Sequence, residues 1–176
     1  SGSFYFMPVV FRARVNQNRQ FWYLFWTDRS EMAILILEQL FQKEEKMQNL
    51  KGKKAVVTGG NSGIGYATAK LLKEQGAAVV ITGRDAEKVR AAAALGKLTE
   101  TVKTQMGEVD ILFVNAGVFY PTPLGQIDEA AFDKQMAINF KGAVFTLEKF
   151  LPLLKDGASV INLSSVNAYT GMPTTA

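Results

Sequence analysis

The sequence predicts an α/β fold built on a parallel sheet with helices on both faces. From residue 53 onward, short β-branched apolar runs alternate with segments in which apolar residues recur every three or four positions. The first of these runs stops at a glycine-rich turn, and a helical pattern follows the turn at once. Strands that alternate with helices in this way are typical of a doubly wound parallel sheet.

The composition fits one domain with an additional arm. The chain has 176 residues, 48% of them hydrophobic, which is enough to build a core. Its net charge of +4 is modest and its lysines are spread along predicted helices, so nucleic-acid binding is not expected. The chain has no Cys and no His. This excludes the usual Cys/His metal sites, Cys nucleophiles and Ser-His catalysis, and no metal is expected.

Residues 1–46 differ from the rest of the chain. Both tryptophans and many other aromatic residues lie between positions 4 and 26, with arginines among them. We expect short strands at 4–11 and 21–26 and a helix over 31–46, in an arm foreign to the domain or left from expression. A surface for protein or RNA contact is the alternative. No apolar run is long enough to cross a bilayer, and no signal peptide is recognised, so a cytoplasmic location without membrane contact is expected.

The segment after residue 53 predicts a phosphate site. A strand over 55–58 leads into the turn Thr58-Gly59-Gly60-Asn61-Ser62-Gly63-Ile64-Gly65, and a helix is predicted over 64–75. Glycines permit positive φ and leave no Cβ in the way of a ligand. A helix that opens near Ser62 presents free backbone N–H groups and the positive end of its dipole to a phosphate.

The next elements follow this turn in order. A second strand is predicted at 78–82, and its unbroken apolar run indicates that both of its faces are covered. Two helices are predicted after it, from residue 85 to residue 94 and over 98–106, separated at Gly96. No β-branched run lies between these two helices.

Two further strands, at 111–115 and 158–163, flank a long helix over 128–154. The first of them ends in Asn115-Ala116-Gly117, and the second ends in Ser164-Ser165. Asn139 lies near the middle of the helix, whose apolar side is predicted to comprise Phe132, Met136, Ile138, Val144, Phe145, Leu147 and Phe150.

These pieces together resemble the short-chain dehydrogenase/reductase family over residues 50–176. The resemblance is carried by the turn 58–65, by Asn115-Ala116-Gly117, by Asn139 and by Ser164-Ser165, in this order and at these strand ends. It implies a Rossmann-like fold in which residues 47–176 form a partial NAD(P)-binding domain. It also implies an oxidoreductase that transfers a hydride between a nicotinamide cofactor and a small carbonyl or alcohol substrate.

The resemblance further implies roles for individual residues. Asn139 would hold a water in a proton relay, and Ser165 would hydrogen-bond the substrate oxygen, so both would be catalytic. The structural alternatives are a buried amide that repairs a helix kink and a polar strand terminus. The cofactor site would comprise Gly59, Asn61, Ser62, Gly63, Ile64, Gly65, Arg84, Asn115, Ala116 and Gly117.

The end of the second strand predicts NADP(H) rather than NAD(H). NAD-preferring relatives carry an Asp at this place, which accepts hydrogen bonds from the adenosine ribose. This chain has Gly83 followed by Arg84, a pair that suits a 2′-phosphate and supplies no carboxylate. The alternative is that Arg84 only caps a turn.

Two parts of the family pattern are missing. The third strand, with the Asp that holds the adenine, has no counterpart between residues 85 and 106, and no Tyr-x-x-x-Lys acid/base pair follows Ser165. Tyr169 is too close to Ser165, and no Lys follows it. We therefore expect the strand order 2-1-4-5, weak NADP(H) binding and no turnover by these 176 residues. A dinucleotide-binding module without catalysis is the alternative.

The incomplete sheet has a further consequence. Without the third and sixth strands of the family, both edges of the sheet are expected to be open, which favours self-association. The aromatic segments 4–11 and 21–26 have the β propensity to cover one of these edges.

Overall fold

The described residues form one six-stranded sheet. A computed structural model describes residues 8–14, 23–25, 49–83, 92–121 and 123–165, with 8–14, 23–25 and 92–94 described by their backbone alone. The strands are β1 (Pro8–Arg14), β2 (Tyr23–Phe25), β3 (Lys54–Val57), β4 (Ala78–Ile81), β5 (Val109–Val114) and β6 (Leu154–Ser165). Their order across the sheet is β2-β1-β6-β5-β3-β4.

The four strands predicted for the parallel sheet occupy the predicted order. β4, β3, β5 and β6 are parallel neighbours, which is the order 2-1-4-5 when the missing strand is counted as the third. In the described residues between β4 and β5, 82–83 and 92–108, the chain forms no strand. The predicted parallel sheet with flanking helices is therefore confirmed.

Helices connect the parallel strands, and their bounds correct two predictions. They are α1 (Gly63–Glu74), α2 (Ala92–Met106), α3 (Glu129–Met136) and α4 (Gly142–Phe150). A π-helical segment, Ala137–Lys141, joins α3 to α4, and a 3₁₀ turn, Leu151–Leu153, leads into β6. The long helix predicted over 128–154 is thus present, but it is π-helical around Asn139 and 3₁₀ in its last turn.

The start of α3 follows from its sequence. Asp128 is the N-cap, and its carboxylate accepts hydrogen bonds from the backbone N–H groups of Ala130 and Ala131 at 3.3 and 3.2 Å. Such a cap satisfies N–H groups that have no partner within the helix. The acidic side chain also lies at the positive end of the helix dipole.

The predicted break at Gly96 is wrong. α2 runs without interruption from Ala92 to Met106, and Gly96 lies inside it. A Cβ at Gly96 would meet no atom within 4 Å, and Thr99 Oγ1 donates to the Gly96 carbonyl at 2.8 Å. A glycine lowers helix propensity by only about 1 kcal/mol, which the packing of neighbouring turns offsets. The predicted helix over 31–46 and the start predicted near Asp85 lie outside the described residues.

The sheet separates two apolar cores. Alternate residues of β3 and β5 point to opposite faces, with Val57 and Phe113 in one core and Val56 and Leu112 in the other. The helix residues that complete these cores are Ala69 and Leu72 of α1 on the first face, and Val102 of α2 and Phe150 of α4 on the second.

The long helical stretch buries less of its predicted apolar side than expected. Phe150 is fully buried and Leu147 packs against the second core. In contrast, Phe132, Met136 and Val144 are 48%, 43% and 47% exposed. The apolar residues therefore occupy more than one face of the helix, and only the side that meets the sheet is buried.

The two edges of the sheet differ. β1 pairs antiparallel with β6, with Pro8 opposite Ser165 and Arg14 opposite Ser159, so the backbone of residues 8–14 lies along one edge. β4 forms the other edge of the described sheet, and Ile81 is 47% exposed. Both faces of β4 meet a core, as predicted, because Val79 packs against the first core and Val80 against the second. At the two ends of the strand, Ala78 and Ile81 are exposed. In this part of the chain no helix is long and apolar enough to cross a membrane.

Candidate functional site

A cleft opens at the carboxyl ends of the parallel strands. It has a volume of about 820 Å³ and lies where β3, β4 and β5 end, beside the first turns of α1 and α2. Ligands of open α/β sheets bind outside the carboxyl ends of the strands. No charged side chain lines the cleft in the part of the chain that the structure describes. Among these described residues, an anionic ligand would be met by backbone N–H groups, by hydroxyls and by the helix dipole.

The glycines of the turn after β3 are required by its geometry. Gly59 and Gly63 have φ values of +65° and +56°, a backbone conformation that residues with a side chain rarely adopt. A Cβ at Gly65 would lie 2.3 Å from the Gly59 carbonyl oxygen and 2.4 Å from Asn115 Nδ2. Gly63 lines the cleft, and a Cβ added there would meet no protein atom within 4 Å. The turn thus leaves space for a ligand on its open side and packs without a gap on its inner side.

Asn115 joins the end of β5 to this turn. Its Nδ2 donates to the carbonyl oxygens of Thr58 and Gly59 at 3.0 and 3.1 Å. The Thr58 hydroxyl in turn accepts hydrogen bonds from the backbone N–H groups of Asn115 and Ala116 at 2.9 and 3.1 Å. Thr58 is only 4% exposed. The sequence analysis predicted Asn115 at this site but gave the Thr58 hydroxyl no function. The position of Thr58 at the end of the predicted strand, directly before the glycine turn, was a signal for it.

The end of β4 supports the same turn from the other side. Gly60 N donates to the Thr82 carbonyl oxygen at 2.8 Å, and Thr82 N donates to the Val57 carbonyl oxygen at 3.0 Å. Asn61 lies against Gly83, where a Cβ would be 3.1 Å from the amide side chain. Arg84, the residue predicted to select NADP(H), lies outside the described residues.

The loop after β5 is held against the helical stretch by side chains. Asn139 Oδ1 accepts from Val118 N at 2.8 Å, and Asn139 Nδ2 donates to the Val118 carbonyl oxygen at 2.7 Å. Gln135 Oε1 accepts from Tyr120 N at 2.8 Å, and Lys134 Nζ lies 5.4 Å from the centre of the Tyr120 ring. Val118 and Tyr120 line the cleft. The sequence analysis did not identify Tyr120, Lys134 or Gln135, whose pairing depends on how the loop meets the helix.

Most of the predicted cofactor residues come together in the cleft. Gly65 lies beneath the turn, and Arg84 is not described. The other predicted cofactor residues line the cleft: Gly59, Asn61, Ser62, Gly63, Ile64, Asn115, Ala116 and Gly117. Leu95 and Leu98 of α2 also line it, and the sequence analysis did not predict this.

The two predicted catalytic residues lie outside the lining of the cleft. Ser165 is the last residue of β6, opposite Pro8 of β1. Asn139 is exposed, so the alternative of a buried amide is wrong, and its amide instead pins the Val118 backbone. Its neighbour Ile138 does line the cleft.

One Tyr-x-x-x-Lys spacing occurs in the sequence, but away from the cleft. Tyr66 and Lys70 lie on α1, where Tyr66 is 55% exposed and Lys70 Nζ lies 3.8 Å from a Glu74 carboxylate oxygen. Neither residue lines the cleft. Within the described residues, no group of His, Cys, Asp and Glu side chains is arranged to hold a metal ion.

Comparisons with known proteins agree with this arrangement. The family model for short chain dehydrogenases matches residues 53–97 and 89–176. The two matches overlap at residues 89–97, within the region 85–106 where the sequence has no counterpart of the family's third strand. An oxidoreductase of Sarocladium schorii, asL5, is 42% identical over 147 residues, which cover 72% of this chain and 59% of that protein. The NADP-dependent (R)-specific alcohol dehydrogenase of Lentilactobacillus kefiri is 34% identical over 148 residues, with coverages of 71% and 59%.

Solved structures resemble the fold over a similar extent. A short-chain dehydrogenase/reductase from Serratia marcescens superposes with a TM-score of 0.57 and 28% identity, covering 63% of this chain and 56% of that one. A short chain dehydrogenase from Burkholderia cenocepacia in complex with NADP gives a TM-score of 0.56 and 26% identity, with coverages of 61% and 53%. The chain thus spans about 59% of the length of these curated relatives.

Proposed function

The chain belongs to the short-chain dehydrogenase/reductase family, and on this premise we propose that its cleft binds NADP(H) for hydride transfer to or from a carbonyl or alcohol substrate. The observation that carries the proposal is the glycine turn after β3. Its open side faces the cleft and its inner side is fixed by Asn115 and Gly65. The turn presents the N-terminus of α1 to the cleft, where a pyrophosphate would bind.

The described residues fit a dinucleotide. Gly63 has no atom within 4 Å of a Cβ position, so its backbone can approach a ligand closely. The first intrahelical hydrogen bond of α1 runs from Tyr66 N to the Ser62 carbonyl oxygen at 3.2 Å. Gly63, Ile64 and Gly65 precede it in the first turn of the helix, where main-chain N–H groups and the positive end of the helix dipole face a phosphate. When bound, the nicotinamide ring would supply or accept the hydride.

The other end of the cleft would receive the substrate. Val118 and Tyr120 form part of this end, and Asn139 fixes the Val118 backbone. We assign Ser165 to the hydrogen bond with the substrate oxygen and Asn139 to the ordering of a water. Both assignments rest on the family resemblance. Among the described residues, no Tyr and Lys pair lines the cleft to act as the acid/base group, because Tyr66 and Lys70 lie on α1 outside its lining.

Turnover can be tested by the absorbance of reduced nicotinamide. These 176 residues are expected to bind NADPH and to show no turnover with a panel of ketones and secondary alcohols. Loss of a general acid costs about 10²–10⁴ in rate. A chain extended beyond Ala176 into a Tyr-x-x-x-Lys helix, with a third strand restored, is expected to turn over. Family-like rates from the 176 residues would mean that another residue, with Tyr169 as the first to examine, supplies the proton.

The cofactor preference depends on Arg84. A contact with the 2′-phosphate, worth ~1.5–3 kcal/mol, would favour NADP by roughly tenfold to a hundredfold. Titration with NADPH and NADH should give this ratio of dissociation constants, and Arg84→Ala should abolish it. Lys97→Ala is the control, because it removes an equal charge from an exposed position of α2. Equal dissociation constants for NADPH and NADH in the unmodified chain would contradict the proposed contact between Arg84 and the 2′-phosphate. An unchanged ratio of these constants in Arg84→Ala would contradict it as well.

Self-association is proposed at the exposed edge of the sheet. β4 ends the described sheet, and its residues Ala78–Ile81 carry no charge that would oppose pairing with another chain. Light scattering should show a dimer that Ala78→Lys, at an exposed position of β4, reduces to a monomer. A monomer at all concentrations would contradict the proposal.

A further inference from the structure

The first face of the sheet is buried over a wider area than the described helices account for. All described helix residues in the first core belong to α1, which packs on β3 and β4. A helix is about 10 Å wide and neighbouring strands are about 4.8 Å apart, so one helix spans about two strands. Ile161 of β6 lies two strands beyond β3, yet it is only 1% exposed and belongs to the first core. Another part of the chain must therefore cover Ile161.

The connection between β2 and β3 is the part of the chain that has to pass this region. β1 is antiparallel to both β2 and β6, so β2 is parallel to β6 and to β3. A connection between two parallel strands needs a dozen or more residues and usually contains a helix. Residues 26–48 are long enough for this, and their two ends lie on opposite sides of β5 and β6.

The hand of the connections indicates which face residues 26–48 cross. Connections between parallel strands of one sheet are right-handed in about 98% of cases. From β3 to β4 the chain advances toward the β4 edge, and α1 lies on the first face. From β4 to β5 and from β5 to β6 it advances the opposite way, and α2 and α4 lie on the second face. From β2 to β3 it again advances toward the β4 edge, so the same hand requires the first face.

The residues at the end of this connection agree with the first face. Leu50, at the start of the next described segment, is 1% exposed and belongs to the first core. Its N–H group donates to the Gln75 carbonyl oxygen at the end of α1, at 2.7 Å. The sequence of the connection also suits an apolar surface, because the helix predicted over 31–46 contains an unbroken apolar run at 32–37.

We propose that the first face of β5 and β6 is the docking surface for residues 26–48 of this chain. The apolar side of the predicted helix packs there against Phe113, Ile161 and Leu163, all of which belong to the first core or pack against it. The N-terminal residues are then part of the domain, since β1 pairs with the edge of β6 and residues 26–48 cover its face. They hold the strand that ends in Ser165, the residue assigned above to the substrate oxygen.

The first experiment needs no variant, because both tryptophans of the chain, Trp22 and Trp26, lie next to the connection. Urea unfolding is followed by tryptophan fluorescence and by far-ultraviolet circular dichroism of the whole chain. The two midpoints are expected to coincide, since a segment that belongs to the domain unfolds with it in one cooperative transition. A fluorescence transition that is complete at a lower urea concentration would overturn the proposal, because the N-terminal residues would then be detached from the sheet.

The second experiment identifies the face. The chain has no Cys, so a pair can be introduced without competing thiols. Leu163→Cys on the first face is combined with a Cys at each position from 34 to 41 in turn, and a short bifunctional thiol reagent is added. Cross-links are expected at positions three or four residues apart, because one side of a helix meets β6. Asn162→Cys is the matched control, since Asn162 lies opposite Val114 of the second core and should give no cross-link.

The other outcomes of the cross-linking each overturn the proposal. Cross-links to Asn162→Cys instead of Leu163→Cys would place the connection on the second face, and an absence of cross-links to either would remove it from the sheet. Cross-links of doubled mass would mean that the segment docks on a second copy of the chain. If the cysteine variants do not fold, the two midpoints of the unmodified chain still decide whether the segment belongs to the domain. The proposed function is independent of this test, because it fails only if the chain binds no dinucleotide.

Discussion

The two ends of the cleft are built differently. At the glycine turn, Thr58 and Asn115 bond to main-chain groups, and the Thr58 side chain is buried. At the loop after β5, the main chain is held by Asn139, which is exposed, and by Gln135. A site fixed by buried main-chain bonds is costly to distort, whereas a loop pinned by exposed side chains opens locally at low cost. We therefore expect substitutions at the turn to act on stability and cofactor binding, and substitutions at the loop to act locally.

The largest effect is expected from Gly65→Ala at the turn. The added Cβ would lie 2.3 Å from the Gly59 carbonyl oxygen and 2.4 Å from Asn115 Nδ2, so α1 or the turn must move. Overpacking of this kind costs about 3 kcal/mol of unfolding free energy. Urea denaturation should show this loss, and NADPH binding should fall below detection.

Gly96→Ala is the matched control for this substitution. Gly96 lies inside α2, and a Cβ there would meet no atom within 4 Å. The replacement should raise the unfolding free energy by about 0.5–1 kcal/mol, because alanine favours helix. Equal stabilities of the two variants would show that α1 can shift away from the turn. The glycine turn would then be no more rigid than the loop after β5, and the contrast between the two ends of the cleft would disappear.

The next effect is expected from Thr58→Val. The Thr58 hydroxyl accepts from Asn115 N at 2.9 Å and from Ala116 N at 3.1 Å, so its removal leaves two N–H groups without this acceptor. Unsatisfied groups near the interior cost about 1–3 kcal/mol of unfolding free energy. Thr58→Ser, which keeps the hydroxyl, should lose less than half of that amount. A valine variant as stable as the serine variant would show that the hydroxyl does not brace the turn.

Asn139→Ala should have a local effect at the loop. It removes both hydrogen bonds to Val118, at 2.8 and 2.7 Å, from an exposed position, so a loss of about 1 kcal/mol is expected. Amide hydrogen exchange of Val118 should accelerate, while that of Gly59 should not change. Asn139→Asp keeps the acceptor for Val118 N and should protect this amide better than alanine does. Faster exchange at Gly59 as well would mean that both ends open together.

The smallest effect is expected from Lys134→Met. Lys134 Nζ lies 5.4 Å from the centre of the Tyr120 ring, and a cation–π contact at such a site contributes about 0.5–1 kcal/mol. Thermal unfolding should give a slightly lower stability for Lys134→Met than for Lys97→Met, the control that removes a charge from an exposed position on α2. A loss as large as that of Thr58→Val would mean that the loop contributes to the stability of the whole domain.

The sequence predicted those parts of the site that depend on neighbouring residues along the chain. The glycine turn, its position between strand and helix, and Asn115 at the next strand end all occupy their predicted places. Leu95, Gln135 and the Thr58 hydroxyl were not predicted as site residues. Each of them acquires its partner from a segment distant in the chain, or from a helix whose bounds the sequence left uncertain.

The sequence by itself determined where the parallel strands lie along the chain and the glycine turn that follows the first of them, whereas the order of the strands across the sheet was implied by the family resemblance. Apolar runs, glycines with positive φ and the N-cap at Asp128 act through local geometry, which a pattern of residues records directly. Only the tertiary structure decided that α2 passes through Gly96 and that Ile81 and Phe132 are exposed. Periodicity shows that a residue is apolar and on which side it lies, but burial depends on whether another element packs there. For Ile81 at the edge of the sheet and for the outer face of α3, the described residues supply no such element.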